Sequence, residues 1–154
     1  MKFREFIQSD SIIVPLESSE REGVIRELVL SLGRSGAIEA DAVDEVIKAL
    51  ISREKAGTTG FGRGVAAPHC KHPRIKKLIG TIGLSEKGIE FNALDHKPVY
   101  AVFMLLSPQG QDQLHLQAME VVFKNLKEDM FRRLLRQTNT KEKLIELLEE
   151  IDGR

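Results

Sequence analysis

Tryptophan is missing from this 154-residue chain, and tyrosine and cysteine occur once each. A single cysteine, Cys70, cannot close an internal disulfide, which excludes the small disulfide-stapled secreted class. Net charge is also missing. Lys+Arg and Asp+Glu number 23 each, so no long-range field would hold the chain on nucleic acid or an anionic membrane, although a local basic patch stays open. No apolar run is long enough to span a bilayer, and Met1-Lys2-Phe3-Arg4-Glu5 lacks the apolar stretch of a secretory signal. Together these absences predict a soluble cytoplasmic protein with no nucleic-acid partner and no direct membrane insertion. At 42% hydrophobic residues the chain can bury a core unaided, and 1–154 is expected to form one domain.

What is present reads as helices first, strands in the centre and helices again at the end. Phe3, Phe6 and Ile7 suggest a short amphipathic turn, followed by a strand Ile12-Ile13-Val14 closed by Pro15. Ser19 and Glu22 have the spacing of a capping box, and Val24, Ile25, Leu28, Val29 and Leu32 keep a helical period up to Gly33, read as a C-cap. Asp41 opens a second helix with Arg53-Glu54-Lys55 in its last turn before Gly57. Val65-Ala66-Ala67 and Leu78 to Leu84 are strand-like, and Lys87-Gly88 suggests a turn into Ile89-Glu90-Phe91. The run from Val99 to Leu106 is almost wholly apolar, the pattern of a strand covered on both faces, and it should stop at Ser107-Pro108. Three helices follow: Gln111 to Leu126 with His115 at the margin of its stripe, Asp129 to Gln137, and Thr140 to Ile151. This order predicts an α/β sandwich, a single domain whose mixed β-sheet is covered by helices on both faces.

The densest stretch chemically is Thr58-Thr59-Gly60-Phe61-Gly62-Arg63-Gly64-Val65-Ala66-Ala67-Pro68-His69-Cys70. Pro68 cannot continue an ordinary ladder, so His69 is expected to be presented rather than buried in mid-strand. A nucleotide-binding loop does not fit, because no Gly-x-x-x-x-Gly-Lys-Ser/Thr run exists and a strand-like segment, not a helix, follows the glycines. Zinc is a minor alternative: His69 and Cys70 are adjacent and should point to opposite sides, and no Cys-x-x-Cys or His-Glu-x-x-His spacing is present. Nothing in the sequence activates Cys70 as a nucleophile. A neutral imidazole, in contrast, can accept and pass on a phosphoryl group provided donors and positive charge surround it. Arg53, the hydroxyls of Thr58 and Thr59, the glycine-loop N–H groups and a second imidazole at His115 are candidates for that surround. Each alone also has an ordinary structural reading, as a helix-end cation, turn residues or a stripe-edge histidine.

Arg53-Glu54, the Thr58–His69 segment, Ser107-Pro108 and His115-Leu116 together resemble the enzyme IIA domains of the fructose and mannitol class of the bacterial phosphoenolpyruvate-dependent phosphotransferase system, including their nitrogen-regulatory relatives. The resemblance runs through essentially the whole chain. It implies that His69 accepts a phosphoryl group at Nε2 from HPr, or its nitrogen-branch equivalent, and gives it to an enzyme IIB domain. Arg53 and His115 match the family's arginine and second histidine, and no cofactor or metal is implied. Arg63 stands where relatives commonly have Asn and Cys70 where a Gly is common; Arg63 would either add a phosphate contact or obstruct docking. The alternative reading is a regulatory module that binds target proteins and is switched by histidine phosphorylation, with no role in sugar transport.

Overall fold

The apolar run expected to be doubly covered becomes the hub of the sheet in the computed structural model, which describes residues 1–154. The helices are α1 (Arg21–Arg34), α2 (Val43–Ala56), α3 (Asp112–Leu126), α4 (Asp129–Gln137) and α5 (Lys141–Asp152). The strands are β1 (Gly60–Gly62), β2 (Val65–Ala66), β3 (His69–His72), β4 (Ile79–Ile89) and β5 (Val99–Pro108). β4 runs antiparallel along one side of β5. Along the other side, β2 lies parallel to Ala101-Val102 and β3 parallel to Leu105 through Pro108. β2 and β3 are thus two pieces of one row, interrupted at Ala67-Pro68, and β1 flanks β2 antiparallel.

Side chains alternate across β5. Val102, Met104 and Leu106 pack into an apolar cluster with α1 and α2, while Ala101, Phe103 and Leu105 pack with α3, α4, α5 and the N-terminal phenylalanines. A mixed sheet covered by helices on both faces is therefore the observed architecture. Thr140 caps α5 by accepting a bond from the Lys143 amide at 3.2 Å.

Five local expectations are corrected. Ile12-Ile13-Val14 is not a strand but an isolated bridge: Ile13 bonds Ile82 and Leu84 across β4, and Pro15 brings no N–H to extend the pairing. Ser19 caps nothing. Its carbonyl accepts from the Glu90 amide at 2.8 Å, an extended tertiary bridge that moves the helix N-cap to Glu20. Gly33 lies inside α1, where a Cβ would come within 2.8 Å of Val43 Cγ2, so it serves the α1–α2 contact. Lys87-Gly88 does not reverse the chain, because Ser85–Gly88 are accommodated as a bulge opposite Tyr100 and the strand resumes at Ile89 against Val99. β5 itself continues through Ser107-Pro108.

Candidate functional site

Pro68 interrupts the row beside β5, and the ladder restarts at His69, paired with Leu105. His69 therefore opens a short strand instead of ending a run. Its ring lies on the face covered by α3, and Cys70, the next residue, packs against the α1–α2 cluster on the other. Burial pushes the Cys70 thiol up to about 12.

The His69 ring is held by its Nδ1, 2.8 Å from the Ala67 carbonyl oxygen. A carbonyl only accepts, so Nδ1 carries the proton and Nε2 keeps its lone pair. The side chain is half-buried. Its pKa is lowered from the ordinary value, first by burial and then by the positive charges of Arg53 and Lys71, against the Ala67 bond and the Glu54 charge, which raise it. These effects keep the ring neutral near pH 7.

Facing it across the sheet–helix seam is His115, with ring centroids 5.5 Å apart and planes inclined at 50°. His115 is buried rather than marginal, at 9% exposure, because Ser107 at the end of β5 offers its Oγ to His115 Nδ1 at 2.6 Å. Burial, followed by the charges of His69 and Lys71, lowers the His115 pKa to about 4.

The other expected residues divide into two groups. Arg53 lies near enough to depress His69, and its Nη1 donates to the Gly57 carbonyl at 2.8 Å, bracing the turn that follows α2. Thr58 Oγ1 accepts from the Gly60 amide at 3.1 Å. The Thr59 hydroxyl is turned inward and donates to the buried Glu54 carboxylate, which also takes the Thr59 amide at 3.0 Å. The glycine run is not an open cradle of N–H groups. It folds into the β1–β2 hairpin, with the Arg63 amide bonded to Asp95 at 3.0 Å. Arg63 sits in that turn, beyond Val65, whose pairing with Ala101 lies four ladder positions and so roughly 13 Å along β5 from that of His69 with Leu105, and it is not among the charges acting on either imidazole.

Sequence reasoning gave no role to three residues at the site. Ser107 and Glu54 carried the resemblance but looked like a strand end and a helix-end acid. Lys71 is on the His69 face by the two-residue period of a strand, a signal that was available. It pairs with Asp112 at the start of α3 at 3.0 Å.

Residues 5–151 match the family described as "Phosphoenolpyruvate-dependent sugar phosphotransferase system, EIIA 2". The chain is 29% identical over 153 residues to the fructose-specific EIIABC component of Bacillus subtilis, covering 99% of this chain but 24% of that protein, so it spans about a quarter of that relative's length. It is 32% identical over 136 residues to a nitrogen regulatory protein of Bradyrhizobium diazoefficiens, covering 88% of this chain and 87% of the relative. Among solved structures, nitrogen regulatory protein IIA-Ntr of Neisseria meningitidis superposes with a TM-score of 0.83 at 28% identity, covering 94% of this chain and 97% of the other. Enzyme IIAMTL of Escherichia coli, solved in complex with phosphorylated enzyme IIBMTL, shares the fold with a TM-score of 0.77 at 20% identity, covering 97% of this chain and 100% of the other. With the family matched over nearly its full length, the chain belongs to the EIIA 2 family of the phosphoenolpyruvate-dependent sugar phosphotransferase system.

Proposed function

We propose that this chain is a cytoplasmic phosphocarrier that takes a phosphoryl group onto His69 Nε2 from an HPr-like donor and passes it to an enzyme IIB domain. The observation that carries the reading is the bond from His69 Nδ1 to the Ala67 carbonyl, which leaves Nε2 as a neutral nucleophile on a ring whose centroid is 5.5 Å from that of His115. In the forward step the Nε2 lone pair forms the N–P bond as the bond between phosphorus and the donor's nitrogen breaks. The donor's ring leaves with that electron pair. Such transfers ask of the protein mainly position and charge stabilisation. Arg53 and Lys71 supply positive charge toward the phosphoryl oxygens, and Thr58 stands at the turn next to Arg53. His115 stays neutral. With Ser107 donating to its Nδ1, its Nε2–H is the donor toward the incoming group.

A IIB partner is supported by the Escherichia coli IIA–IIB complex, whose IIA component has this fold. Leu116, 59% exposed on α3 beside His115, suits a partner face. A regulatory use of the same chemistry, in which phosphorylation switches binding to target proteins, is supported by the nitrogen regulatory relatives, which match over most of their length.

The test is incubation with phosphoenolpyruvate, enzyme I and HPr, or the nitrogen-branch equivalents, followed by mapping of acid-labile phosphate. Label is expected on His69 and absent from His69→Ala; label persisting in that variant would overturn the assignment. Arg53→Ala is expected to slow loading about a hundredfold while leaving His69 the labelled residue. Transfer onward to a IIB domain, against phosphate-dependent capture of a regulatory target, separates the two uses.

A further inference from the structure

Arg63, displaced from the imidazole pair, stands at the lip of a separate slot. Phe61 of β1 and Phe123 of α3 form its floor, with ring centroids 4.8 Å apart, and Val65 and Leu126 close it below. The slot holds about 600 Å³. Three cations line it, Arg63, Lys127 and Arg132, and no carboxylate does. Arg132 is already committed to the Leu126 carbonyl and to Asp129, whereas Arg63 and Lys127 are exposed and make no ion pair. The other large groove of the molecule differs, because Glu17 and Glu27 lie in it beside Arg26 and Arg34 and leave it no single sign. Arg63 also occupies left-handed backbone at φ 60°, a conformation that asparagine takes more readily than arginine. A cation is thus held, at some local cost, over an apolar floor.

We propose that this slot docks an acidic segment of a partner protein, with an apolar side chain seated on Phe61 and Phe123 and carboxylates on Arg63 and Lys127. Charge complementarity picks the occupant: two free cations flank an aromatic floor in a chain with no net charge. A nucleic-acid backbone would need a longer basic track than this. The slot shares α3 with His115, and Phe123 lies eight residues on, roughly 12 Å along the helix. A segment seated there would lie beside the imidazoles without covering them. The inference is independent of phosphoryl transfer and stands whether or not His69 is phosphorylated.

The probe is a short synthetic peptide with a central Phe-Leu pair flanked by glutamates, titrated into isotope-labelled protein while backbone amide resonances are followed. Saturable shifts are expected at Phe61, Arg63, Phe123 and Lys127, with a lysine-flanked control peptide inert. Arg63→Asn, which suits the left-handed turn, combined with Lys127→Gln should weaken the complex about tenfold, and raised salt should weaken it too. His69→Ala should bind the peptide as the parent does, which separates this test from that of the relay. Shifts scattered elsewhere or absent, equal binding of the lysine-flanked peptide, full affinity in the double variant, or equal competition by a short oligonucleotide would each overturn the assignment.

Discussion

Ser107 Oγ lies 2.6 Å from His115 Nδ1, both groups buried, so the last inward-facing residue of β5 before the chain turns into α3 sets how the second imidazole presents its other nitrogen. Removing the hydroxyl leaves a buried ring nitrogen without a partner and frees the choice of tautomer. Ser107→Ala is expected to slow phosphoryl loading about tenfold, the equivalent of one hydrogen bond's net worth, with His69 still the labelled residue. Nitrogen shifts of the His115 ring should move from a single tautomer to a mixture. An unchanged tautomer in the variant would remove Ser107 from the positioning role.

The same histidine makes stability depend on pH in a defined direction. His115 titrates at about 4 in the folded chain and near 6.5 when unperturbed. Its stabilising contribution is complete above 6.5. Between those values the unfolded chain binds a proton that the folded one refuses, so stability drains away as pH falls toward 4. His69, also lowered, contributes in the same sense. Urea midpoints measured from pH 7 to pH 4 should fall more steeply for the parent than for His115→Gln; parallel curves would refute the linkage.

Glu54 anchors the turn that connects Arg53 to Thr58 and Thr59. It is 2% exposed and accepts both the amide and the hydroxyl of Thr59. Glu54→Ala strands two buried donors, at a cost of about 2–3 kcal/mol, and loosens the Arg53–Gly57 brace. Glu54→Gln keeps an acceptor and should recover part of the loss. Chemical denaturation of the two variants checks this, together with loading rates, which should fall in both because the turn next to His69 is no longer fixed.

Gly33 allows α1 and α2 to approach. Gly33→Val would drive side-chain atoms into Val43, within 2.8 Å of its Cγ2, and is expected to destabilise by about 1–3 kcal/mol. Thermal unfolding measures the effect, and a variant as stable as the parent would show that the helices part without penalty.

The sequence by itself determined the elements whose cause is local. Periodic apolar positions placed α2 to α5 close to their true limits, the unbroken run from Val99 marked the doubly covered strand, and Pro68 marked the break beside His69. Where a distant segment supplied the competing bond, local signals misled: the Glu90 amide took Ser19 from its cap, and β4 reduced Ile12-Ile13-Val14 to one bridge. Only the tertiary structure decided which candidates meet. His69 and His115 come together because parallel pairing of β3 with β5 and the return through α3 set both rings on one face, a relation that no spacing encodes. It likewise turned Thr59 inward to Glu54 and carried Arg63 away to its own slot, since the glycine run closes into a hairpin in which the Gly60 amide is taken by Thr58 Oγ1 and the Arg63 amide by Asp95.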